Sequence, residues 1–147
     1  MAFRFALESV LRLRASYERQ EQSRLELAAQ RLYAAQEHCE ILKKEKISLE
    51  ENFRKLMQVG AEPADLHYYL ASKAGLEVAE IEAARAFTEA KKLWAEQRIQ
   101  FLQARRDREV IASIRQRQHE QYVLEESRRE QQQIDDLFAM RRLQPNR

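Results

Sequence analysis

Two glycines, Gly60 and Gly75, and two prolines, Pro63 and Pro145, are all the dedicated turn-formers in this 147-residue chain. Average usage would supply roughly ten Gly and seven Pro. A sandwich, barrel or propeller needs a turn every dozen residues or so, and this chain cannot build those turns. Nor can it write a G-x-G-x-x-G or a P-loop, so Gly-rich phosphate cradles are excluded. What remains is rich in Ala, Glu, Gln, Arg and Leu, the composition of long helices and coiled coils. A hydrophobic share of 44% and a formal net charge of only +2 argue against disorder.

The apolar residues follow the same reading. From Leu25 they alternate by three and four: Leu25, Ala28, Leu32, Ala35, Cys39, Leu42, Leu49, Phe53 and Leu56, with Lys46 interrupting. Nearly five heptads of this spacing make a coiled-coil seam rather than the face of a globular helix. Run backwards, the frame meets Leu11 and Leu7 but also Arg14, Glu18 and Glu21, so the stretch 12–24 packs more weakly. The break comes at 58–65. Gly60 suits the left-handed residue after a helix end, and Pro63 suits the first turn of the next helix. The second helix carries Leu66, Tyr69, Leu76, Ala83, Phe87, Ala90, Trp94, Phe101, Ala104, Ile111 and Ile114, with Lys73 on the seam. The expected fold is all-α, an antiparallel coiled-coil hairpin in one domain, 1–147. Helix 1 covers about 4–58, the turn 59–63, helix 2 64–142 and a tail 143–147. Pro145 ends the second helix, and Gly75 marks a kink or a close approach.

A hairpin folded near residue 60 pairs position i with about 121 minus i. Phe53 then meets Tyr69, Leu25 falls near Trp94, and the first helix runs out opposite about residue 117. The second, longer helix overhangs by some 25 residues, roughly 35–40 Å at 1.5 Å per residue. After Ile114 its apolar spacing dissolves into polar sequence, then returns at Ile134, Leu137, Phe138 and Met140 on one face. The start of the chain is also more apolar than a two-helix seam needs, through Phe3, Phe5, Leu7, Val10, Leu11 and Leu13. Apolar faces beyond the reach of the hairpin need an outside partner, so these two ends are the first candidates for a binding site.

Nothing in the pattern calls for catalysis, a cofactor or a metal. His38, His67 and His119 are far apart in sequence; His38 and His67 could approach within the hairpin but read as solvated, and His38-Cys39 lacks the two further ligands of a metal site. Glu50-Glu51, Glu125-Glu126 and Asp135-Asp136 are neighbours on a helix, pointing about 100° apart, so they are not acid–base dyads. Cys39 reads as a small seam residue and, being alone, fits a reducing cytoplasm. No apolar run approaches 18 residues, so no membrane span is expected. The N-terminus lacks a signal peptide's continuous apolar core. Signs of charge are mixed along the chain, which disfavours nucleic acid as a partner.

The two ends also carry a resemblance. F-R-F-A-L-E-S-V-L-R-L-R, Phe3 to Arg14, followed by Glu18 and Leu25, resembles the start of the FliJ family, the small coiled-coil component of the bacterial flagellar export apparatus. R-R-E-Q-Q-Q-I-D-D-L-F-A-M-R-R, Arg128 to Arg142, looks like that family's ending, and Leu76-Glu77 and the turn near 60 fit as well. The resemblance implies a non-enzymatic, stalk-like rod, similar to the central subunit of rotary ATPases, in the cytoplasm and peripheral at the inner face of the cell membrane. Its partners would be the hexameric export ATPase, the cytoplasmic domain of the export gate and export chaperones. The free protein would be a monomer without membrane insertion. Phe3, Phe5, Leu7, Leu11, Ile134, Leu137, Phe138, Arg141 and Arg142 would meet the ATPase ring. His38, Leu42, Tyr69, Leu76 and Ala79 would face the gate, with Glu45 and Leu49 where the family tends to carry aromatic residues. The alternatives are an injectisome stalk protein, an export chaperone or adaptor, and a generic coiled-coil scaffold.

Overall fold

The computed structural model describes residues 2–143. Among these residues are two helices packed against each other and no strand: α1 (Glu8–Val59, 52 residues) and α2 (Pro63–Leu143, 81 residues). The turn between them is built as its residue types require. Gly60 adopts φ +116°, and its N–H donates to the Leu56 carbonyl at 3.0 Å, a left-handed cap that satisfies one of the last free carbonyls of α1. Pro63 opens α2, where its missing N–H costs nothing. The Glu62 carbonyl accepts from the N–H groups of Asp65 and Leu66 at 3.0 and 3.3 Å, and the Glu62 N–H donates back to the Asp65 carboxylate at 3.0 Å. An acid three residues into a helix thus closes half of a capping box.

The seam follows the expected spacing over most of its length. Between residues 25 and 53 the less exposed positions of α1 are Leu25, Ala28, Leu32, Ala35, Cys39, Leu42, Lys46, Leu49, Glu50 and Phe53. Leu42 and Ala83 are buried. Lys46 stays in the seam because its Nζ pairs with the Glu80 carboxylate at 3.3 Å. The Phe53 and Tyr69 rings stack with centroids 4.0 Å apart, the partnership the hairpin register requires. Other cross-helix pairs are Gln97 with Glu21, Arg14 with Asp107, Arg108 with Glu18, and Arg115 with Glu8. With Lys46–Glu80 and Phe53–Tyr69, the residue numbers in these pairs add to between 118 and 126, bracketing the expected 121.

Several expectations need correction. Helix 1 does not start near residue 4: α1 begins at Glu8. The residues before it leave the helical path because Phe5 is buried at 8% exposure and Phe3 sits against rings of α2. A turn with the Glu8 N–H donating to the Phe5 carbonyl at 3.2 Å joins this segment to α1. The backward seam frame also slips by one residue. Leu7 and Arg14 are exposed, while Glu8 and Ala15 turn inward. This spares the Arg14 guanidinium from dehydration and presents a methyl group instead. At the far end α2 includes Leu143, so the helix reaches one residue past the expected 142. Pro145 and residues 144–147 of the expected tail lie outside the described residues. Gly75 lies within the unbroken α2, and a Cβ there would meet nothing within 4 Å, so it is no close approach.

By contacts the chain divides into two compact units. One comprises Gln20–Leu102; the other comprises the described residues of Met1–Arg19 and Gln103–Arg147. The division at Arg19 and Gln20 falls inside 12–24, the stretch whose seam positions are charged rather than apolar.

Candidate partner-binding surfaces

In the unit that holds both ends of the described chain, residues 2–7 form a strap. Phe5 fills the interior, and Phe3 meets His119 edge-on with centroids 5.1 Å apart and Tyr122 at 5.6 Å. Edge-to-face aromatic contacts of this kind add to the burial of the rings themselves. Below the strap, Arg115 bonds Glu8 at 3.0 Å and Arg14 meets Asp107 at 3.5 Å. Glu18 accepts from Arg108, both partners less than one third exposed. The strap carries the cover on α2 as far as Tyr122, past the residue 117 at which the overhang was expected to begin. Desolvation around the Tyr122 hydroxyl, together with the Glu126 carboxylate that accepts its hydrogen bond, raises that group above the ordinary tyrosine range; Arg129 works in the opposite sense.

Beyond Tyr122 the helix continues to Leu143, about 21 residues and roughly 30 Å at the usual rise. Every residue from 127 to 143 is exposed. Ile134, Leu137 and Phe138 share one face, with Phe138 62% exposed, and Met140 and Leu143 are exposed beside them. Arg141 and Arg142 stand in the last turn, where cations complement the helix C-terminus. The nine residues assigned to this site by sequence therefore divide. Phe3, Phe5 and Leu11 are engaged within the unit, whereas Leu7, Ile134, Leu137, Phe138, Arg141 and Arg142 face solvent. Val123 and Leu124, also exposed, extend the apolar surface toward Tyr122. The sequence reading passed over them because they stand alone in polar sequence.

In the 20–102 unit the five residues expected to face an export gate are placed mostly inward. Leu42 is buried, Leu76 and Ala79 are half-buried, and Tyr69 lies between the Phe53 ring and the Lys73 ammonium, 5.9 Å from its ring centre. His38 alone is exposed. Among the solvent-facing apolar groups of this unit, Ile41 and Tyr68 line a groove of about 500 Å³ with Glu45, Leu49 and Leu76. Neither was singled out from sequence. The signal was their position one step off the three-four seam, where an apolar residue has no hairpin partner. Trp94, half-buried on the seam, carries the Arg98 guanidinium 5.5 Å from its ring centre.

Among the described residues no three His, Cys, Asp or Glu side chains cluster as metal ligands, and no helix is long and apolar enough to cross a membrane. The surfaces on offer are helix faces and open grooves suited to other helices. A family model described as flagellar FliJ protein matches residues 3–147. Searches of the curated proteins and of the solved structures find no match.

Proposed function

The chain belongs to the flagellar FliJ protein family and is a component of the flagellar export apparatus; from that premise we propose that it acts as a non-enzymatic, stalk-like element linking the export ATPase ring to the export gate. In this reading the ATPase-facing surface is the end of α2. The observation that carries it is the solvent-facing set Ile134, Leu137 and Phe138, with Arg141 and Arg142, on helix that the rest of the unit leaves uncovered. An apolar helix face rimmed with arginines suits insertion into a ring of subunits, where apolar anchors supply affinity and guanidinium groups find carboxylates. The gate-facing surface is assigned to the flank of the 20–102 unit around His38, Leu42, Tyr69, Leu76 and Ala79, with Ile41 and Tyr68 as its exposed anchors. The protein would work in the cytoplasm, peripheral to the inner face of the cell membrane, and escort of export chaperones would be a further task.

Removal of residues 127–147 tests this reading. The truncated protein should keep the helical circular dichroism of the remaining chain and lose stimulation of the export ATPase. Phe138→Asp with Leu137→Asp should reproduce most of that loss. Full stimulation by the truncated protein would refute the assignment.

A further inference from the structure

Along one side of the seam in the 20–102 unit, α1 and α2 leave a groove of about 410 Å³. Its apolar lining includes Leu27 of α1 and Ala86, Ala90 and Leu93 of α2; Leu27 is 48% and Leu93 55% exposed. The two walls carry opposite charge. Arg24 and Arg31 stand on α1, and Glu89 and Glu96 stand on α2. Each pair is one heptad apart, as are Ala86 and Leu93, so charge and apolar lining repeat in step. In register Arg24 lies opposite Glu96 and Arg31 opposite Glu89, yet neither pair closes across the groove. Arg24 bonds Glu21 on its own helix at 3.0 Å, and Arg31, Glu89 and Glu96 have no ion-pair partner among the described residues. Farther along, Lys46 and Glu80 do close at 3.3 Å.

We propose that this groove docks an amphipathic helix of a partner protein as a third strand, its apolar stripe on Leu27 and Leu93, an acidic flank along the α1 arginines and a basic flank along the α2 glutamates. Charges flanking a coiled-coil seam set partner choice and orientation, and they act more on specificity than on affinity. The occupant is not the exposed helix end of a second copy. There Arg128, Asp135 and Arg142 fall one heptad apart on a single flank, so its charges alternate where the groove asks for one sign per side. The proposal does not depend on the ATPase assignment, and the 127–147 truncation should leave it untouched.

The probe is a synthetic helical peptide of about three heptads, with Leu on the stripe, Glu on one flank and Lys on the other. It is titrated onto the full chain beside two controls whose flanks are both Glu or both Lys. The mixed peptide should bind tightest. Leu93→Asp should weaken it about tenfold, the loss expected of one packed anchor, and Leu93→Gln should weaken it too, deciding the matter if the aspartate unfolds the chain. Arg24→Glu with Arg31→Glu should turn the preference to the all-Lys peptide. Equal binding of all three peptides would overturn the proposal, as would no loss with the Leu93 variants. A charge reversal that lowers Tm without moving the preference would show that these charges serve only the hairpin's own register. Self-association of the wild-type chain that disappears with Leu93→Gln would assign the groove to a second copy instead.

Discussion

The two glycines ask for opposite things of the backbone. Gly60 holds a φ of +116°, with open space where a Cβ would stand. The cost of any other residue there is conformational, roughly 1–2 kcal/mol for a left-handed L-residue. Gly75 also has open space around it, but it sits in helical conformation inside α2. There glycine itself is the cost, about 0.5–1 kcal/mol relative to alanine. Gly60→Ala should therefore lower Tm and Gly75→Ala should raise it, each by an amount equivalent to about 1 kcal/mol in denaturant unfolding. A Gly75→Ala variant that melts earlier than wild type would reveal a role for local flexibility at that point. Pro63 is placed by its ring at a helix start, where most residues would serve less well.

Within the elements, the strap of residues 2–7 shows where side chains overrule spacing. Phe3, Phe5 and Leu7 are separated by two and read, with Val10 and Leu11, as the first turns of an apolar helix. Burying Phe5 and seating Phe3 against His119 and Tyr122 wins over about one more turn of helix. Truncating a buried Phe costs about 3 kcal/mol at the low end, the appropriate end where neighbours can close in. Phe5→Ala should destabilise the unit by that order and speed hydrogen exchange in residues 8–18 and 103–122. Unchanged exchange there would mean the strap is passive. The hairpin, its turn, its register and the greater length of α2 were legible in the sequence because each depends on local chemistry or a simple period: the cap at Gly60, the start at Pro63, the three-four seam from Leu25. The strap was not, because its energetics lie in contacts between residues more than a hundred positions apart, and no period announces them. The same holds for the polar layers. Glu18 and Glu21 break the apolar pattern, and only the structure shows Arg108 and Gln97 facing them. A partner that satisfies a seam carboxylate is invisible from the carboxylate's own helix. Among the candidate site residues, the C-terminal apolar face was readable as an unpartnered stripe, whereas the inward placement of Leu42 and the outward placement of Ile41 and Tyr68 depend on where the seam's edge falls.

Taken over the whole molecule, stability is unevenly distributed along two long helices. Among the described residues the buried apolar side chains are Phe5, Leu42 and Ala83, so most seam residues are only half covered, as in any pairing of two helices. Backbone protection should follow that distribution. Hydrogen exchange should be slowest around Leu42 and Ala83, intermediate near Glu18 and Arg108, and fastest from 127 to 143. A uniform rate along α2 would contradict the coverage seen here. The stretch 127–143 has a further consequence. Without neighbours it is held wound only by its own helix–coil equilibrium, continued from the helix before it, and it lacks the tertiary packing that supplies most helical stability in proteins. Winding and unwinding relax in about 0.1–1 μs, far faster than typical protein encounters. A receptor that accepts only the wound form therefore sees its intrinsic affinity divided by the fraction wound. Any change that biases the coil side of that balance would retune the assembly while leaving every contact in it unaltered.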